Sequence, residues 1–242
     1  MPQNETVVNG IVPLPLVENA AAKRFRWFEV SLILVIGFGG SLINAIYILR
    51  FGPAAAPHIS NTRWLAATVQ EAACLLLLGY ILRRRGLGFK HIGLRWSVRD
   101  VGVGLLVTAT SIASYAVGYS ILSFLHRLAF GHAGGIRSSR ELFGNPGAMF
   151  VAFSLLNPFF EELIVRAYLM TEVIELTGSP TLAVVLSVAI QSSYHLYYGW
   201  VGALSLACMF LVFSLYYVRR RRALPVVIAH GFFDLVALVR LW

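Results

Sequence analysis

Seven apolar stretches of 18 to 25 residues set the limits on what this chain can fold into: 28–49, 64–82, 101–125, 148–170, 181–198, 201–218 and 224–241. At 1.5 Å per residue, each is long enough to cross, or nearly cross, a hydrocarbon core of about 30 Å as an α-helix. Lipid offers the backbone no hydrogen-bond partner, so a spanning segment must satisfy its own N–H and C=O groups, as a helix does. The expectation is an all-α fold, a polytopic transmembrane helix bundle of about seven spans. With 58% hydrophobic and 13% charged residues, a soluble globular domain is excluded.

Charge orders the spans. The formal net charge is +9, but the basic residues flank the apolar stretches and form no aromatic-interleaved patch, so no nucleic-acid partner is expected. Lys23, Arg24, Arg26, six basic residues between 83 and 100, and Arg219 to Arg222 fall at one end of an alternating bundle. Arg50, Arg63, Arg127, Arg137, Arg140 and Arg240 fall at the other. The positive-inside rule then places the N-terminus in the cytoplasm of an integral multi-pass protein, with a bacterial cytoplasmic membrane as the expected site. Residues 1–22 lack the features of a signal peptide and read as a flexible tail. Residues 23–147 read as about three scaffold spans and 148–242 as a core of about four. The connection from Arg83 to Asp100 has an amphipathic look, with Leu87, Ile92, Leu94 and Trp96 at the membrane surface. Cys74 and Cys208 read as buried thiols, and Glu71 as an interhelical hydrogen-bonding or snorkelling group.

The fourth span carries the anomaly. Between Asn157 and Met170, Glu161, Glu162 and Arg166 interrupt the run, and each ionisable group at a helix centre costs about 2.5 to 3.5 kcal/mol on insertion scales. Glu162 and Arg166 offset part of this as an i,i+4 pair with the acid N-terminal. Glu161 lies about 100° round the helix and needs another partner. The midpoint of 161 and 195 is Gly178, in a Gly-Ser-Pro turn, so an antiparallel hairpin sets Glu161 and His195 at matching heights. His230 and Asp234 share a face of the last span. His230 lies only 8 residues beyond Arg222, and simple full-length spans leave it deeper toward the cytoplasm than His195.

A buried carboxylate beside a histidine can hold and deprotonate water, and a second histidine can donate to a tetrahedral oxyanion. Peptide hydrolysis is the chemistry such a set permits. The zinc motif HExxH, the GxSxG elbow and an aspartate pair are absent from the sequence. These residues resemble the CAAX prenyl protease and bacteriocin-processing family of glutamic intramembrane proteases, the Abi family, over about residues 148–242. Its EExxxR motif stands as Glu161-Glu162-Leu-Ile-Val-Arg166, its second motif, FxxxH, ends at His195, and its third, HxxxN or HxxxD, runs from His230 to Asp234. The resemblance implies a metal-independent helical endopeptidase without cofactor. Glu161 and His195 activate water, His230 and Asp234 form the oxyanion site, and Glu162 with Arg166 supports the geometry. Position 191 is Gln where the family commonly has Phe, and position 234 is Asp where the prenyl-processing branch has Asn. Asp234 would either donate as a neutral acid or orient His230. A bacterial-type relative is expected, acting on a hydrophobic peptide or membrane-protein substrate in the lipid bilayer.

Two alternatives use the same residues. Glu161, His195 and His230 could ligate zinc in a metal-dependent membrane protease. The polar core could also serve packing and partner recognition in a non-catalytic scaffold or immunity factor.

Overall fold

The computed structural model describes residues 20–55, 60–143 and 147–241; the tail up to residue 19 lies outside them. The described chain is helical, without a strand. In order it forms α1 (Ala20–Phe51), α2 (Asn61–Arg84), α3 (Arg99–Phe130), a short α4 (Ser139–Phe143), α5 (Ala148–Glu161), a π-helical segment (Glu162–Tyr168), α6 (Leu169–Thr177), α7 (Pro180–Tyr194), α8 (Trp200–Arg220) and α9 (Leu224–Leu241). Six helices, counting α5 to α6 as one, are long and apolar enough to cross a membrane, and α7 is a shorter apolar one. This agrees with about seven spans.

The α5–α6 run is the centre of the bundle. In its most apolar window 56% of residues are buried, against 28% for α1, α2 and α3. Helices α2 and α9 pack on α5, α7 packs on α6 and α8, and α3 lies outside against α8 and α9. Small residues let α3 approach: a Cβ at Gly104 would stand 2.8 Å from the Ile228 side chain. Large apolar side chains left facing outward, such as Val35, Leu76 and Leu106, suit lipid.

Two departures from regular helix shape the interior. After Pro158, which lacks an N–H to donate, the run widens, and the Leu169 N–H bonds to the carbonyl of Ile164, five residues back. Every residue from Phe160 to Val173 is buried. The second departure is in α7. Its 15 residues span only about 22 Å, short of the hydrocarbon core. The stretch 181–198 therefore does not continue as one helix; it ends at Tyr194 and turns through His195 and a 3-10 segment, Leu196–Tyr198. Non-helical backbone at membrane depth is tolerated where it lines a cavity, and His195, Tyr197 and Tyr198 do line one.

The basic end of the bundle is tied by ion pairs. Glu172 accepts from Arg26 at 2.7 Å and Arg85 at 2.8 Å, Glu29 pairs with Arg84 and Arg85, and Asp100 accepts from the Arg222 Nε at 2.8 Å. Thr171, Glu172 and Val173 are thus buried, although a polar tail after a span would ordinarily be solvated. The connection after α2 also moves inward. Ile92 is buried and Leu87 and Leu94 pack against the core, leaving Trp96 exposed. Gly93, at φ +84°, makes this docking possible: its carbonyl accepts from Ala223, and a Cβ would collide with the Arg221 carbonyl.

Candidate active site

Glu161 ends α5 with its side chain facing a cavity of about 410 Å³. Its Oε2 accepts the Gln191 amide Nε2–H at 2.6 Å and the Tyr194 hydroxyl at 2.8 Å, both from α7. The hairpin therefore sets the heights as its midpoint implies, but the direct partners are Gln191 and Tyr194. No hydrogen bond joins Glu161 to His195 among the described residues. His195 instead donates from Nδ1 to the Gln191 carbonyl at 2.8 Å. A carbonyl can only accept, so Nδ1 carries the hydrogen and the neutral ring has Nε2 free as an acceptor. His195 lines the same cavity as Glu161.

His230 reaches the same place from the second turn of α9. Its Nδ1 donates to Glu162 Oε1 at 2.8 Å, and its Nε2 stands 4.0 Å from Glu161 Oε2 and 3.7 Å from Asp234 Oδ1. His230 stands level with Glu161 because α8 stops short of the end of α6. Arg221, at the end of α8, donates to Thr171 Oγ1 at 3.1 Å, so α6 continues past the level at which α8 stops. Counted from that level, Glu161 lies ten residues in and His230 lies nine residues beyond Arg221.

Glu162 and Arg166 are both fully buried and face each other, with Nε to Oε2 at 3.5 Å. The guanidinium lies 5.2 Å from the centre of the Phe210 ring and 5.8 Å from that of Phe213, so two aromatic faces share its charge. Gln191 binds the two acids together, its Nε2 also lying 3.4 Å from Glu162 Oε1. Asp234 Oδ2 accepts from the Asn157 amide at 3.1 Å.

Gln191, Tyr194 and Asn157 are the groups that motif spacing missed. Gln191 had a signal, a polar residue one turn before His195 in an apolar stretch. Tyr194 had none, because a tyrosine in such a stretch reads as packing or interface. A second cavity, of about 720 Å³ and mostly apolar in its lining, shares His195, Tyr198, His230 and Asp234 with the first. The histidines thus stand on the wall between two chambers, the first the more polar of the two. Among the described residues, no three His, Cys, Asp or Glu side chains are grouped as they would be around a metal ion.

Residues 143–236 match the model of one protein family, Rce1-like, described as Type II CAAX prenyl endopeptidase Rce1-like. The matched region contains all six residues of the three motifs and supports a CAAX-type intramembrane protease. No curated protein and no solved structure matches the chain significantly.

Proposed function

We propose, from that match and this geometry, that the chain is an endopeptidase of the glutamic class, hydrolysing peptide bonds of hydrophobic or membrane-associated substrates inside the bilayer. The observation that carries the reading is Glu161, held on one oxygen by Gln191 and Tyr194 and facing a cavity with two histidines. Both bonds fall on Oε2, which leaves Oε1 to take a proton from water. His195, with Nδ1 committed to a backbone carbonyl, accepts the second hydrogen of that water at Nε2 and aligns its lone pair on the scissile carbonyl. His230 is anchored by Glu162 and donates to the oxyanion from Nε2 when that nitrogen carries a hydrogen. Asp234, with Oδ2 occupied by Asn157 and Oδ1 beside His230, fits the role of orienting that ring better than that of donating to an anion. Glu162 and Arg166 hold His230 at the right distance. The site would work in a bacterial cytoplasmic membrane with the N-terminus inside.

The test is proteolysis in lipid discs, with wild type and Glu161→Gln on a panel of prenylated and unprenylated hydrophobic peptides, with and without chelator. Loss of a general base lowers the rate by about 10²- to 10⁴-fold. Cleavage that falls by that factor in Glu161→Gln and survives chelator is expected, and the preferred peptide defines the substrate. Loss with chelator would favour the zinc reading, and no cleavage of any peptide would favour the scaffold reading.

A further inference from the structure

The buried acids of the spans fall into two groups. Glu29, Asp100, Glu162 and Glu172 are each paired with at least one arginine. Glu71 and Glu161 are not, and both line the same cavity. Glu71 comes from α2, which packs on α5, is only 4% exposed, and its Oε2 has no hydrogen-bond partner among the described residues. It shares the lining of that cavity with Glu161 from α5, His195 after α7, and His230 and Asp234 from α9. A carboxyl in a transmembrane helix costs about 2.5 to 3.5 kcal/mol. A group that only joined helices would be expected to find a hydrogen-bond partner, as neighbouring Gln70 does on the Ile36 carbonyl of α1. Glu71 is instead left lining the chamber that also holds Glu161.

Peptide hydrolysis needs a proton at two places. One leaves the attacking water, and one must reach the nitrogen as the C–N bond breaks, because an amide anion is a very poor leaving group. We infer that Glu71 is the proton donor to the leaving amine. This rests on the hydrolytic reading above. The steps balance. Glu161 takes a proton from water while the water oxygen bonds to the carbonyl carbon. The tetrahedral intermediate collapses, the C–N electron pair goes to nitrogen, and nitrogen takes the proton of Glu71. The proton held on Glu161 then passes through the cavity to the Glu71 carboxylate, and both acids return to their starting forms. Two acids lining one cavity can divide base and acid work, one taking the proton from water and the other giving one to the amine.

An ester tests this, since an alkoxide leaves far more readily than an amide anion. The probes are the best-cleaved peptide of the panel and its depsipeptide, identical except for an ester at the scissile bond. Glu71→Gln is expected to slow peptide cleavage by about 10²-fold or more while cleaving the depsipeptide near the wild-type rate. Glu71→Asp, which keeps an acid at shorter reach, is expected to recover part of the peptide activity and guards against a folding defect in the glutamine variant. Equal loss on both substrates, or no loss on either, overturns the inference. Glu161→Gln separates it from the wider reading, because loss of the base is expected to abolish both reactions. If wild type cleaves no peptide of the panel, the hydrolytic reading fails, and the acid role with it.

Discussion

At the scale of single residues, the site depends on groups that hold other groups. Gln191 bonds to Glu161 and Glu162 with one amide and to His195 with its backbone carbonyl, so it fixes three members of the proposed machinery at once. Gln191→Leu is expected to lower kcat by about 100-fold with KM little changed, since a misplacement of about 1 Å costs that much; an equal fall in affinity would show that it binds substrate instead. Arg166 poses a different problem. Its guanidinium is fully buried with one acid and two aromatic rings for company. Arg166→Met strips Glu162 of its counter-charge and is expected to cost about 3 to 5 kcal/mol. Adding Glu162→Gln is expected to return most of that stability and none of the activity, measured by thermal unfolding in detergent beside the peptide assay. Stability that stays low in the double variant would mean the guanidinium acts by packing.

At the scale of elements, close approach and helix breaks position these residues. The outermost helix, α3, is held against α9 by the absence of a side chain at Gly104. Gly104→Leu is expected to destabilise the fold by about 1 to 3 kcal/mol through overpacking. Gly102→Leu, on the same helix with nothing within 4 Å of its Cβ, is expected to leave the unfolding temperature unchanged. Equal effects would place lipid contact, not helix packing, at the root of both. The small residues of this span are legible in the sequence as a packing face. Pro158 marks a break in the fourth span, but the extent of the π segment and the early end of α7 are not legible there, because a regular helix is the local preference of both stretches.

At the scale of the whole molecule, charge and cavity point opposite ways. The ion pairs of Arg26, Arg85, Glu172 and Arg222 gather at one end, while the chamber of Glu161 runs toward Ile48, Arg63 and Leu142 at the other. If the basic end is cytoplasmic, the site opens outward. In a Cys74→Ala, Cys208→Ala background, Ser138→Cys is expected to react with an impermeant maleimide in intact cells, and Trp96→Cys only after lysis. The reverse pattern would invert the bundle.

The sequence by itself determined the membrane and the helices, and singled out the intramembrane charges, because apolar length and intramembrane charge carry energies too large for any arrangement to hide. It also set the height of Glu161 against the end of α7, since an antiparallel hairpin about a turn fixes level by counting. Only the tertiary structure decided who meets whom at that level. Rotation about each helix axis, the π widening and the projection of α6 beyond α8 brought Gln191 and Tyr194 to Glu161, His230 to Glu162, and Glu71 into the same chamber. Those choices are made by packing across five helices at once, and no local spacing records them.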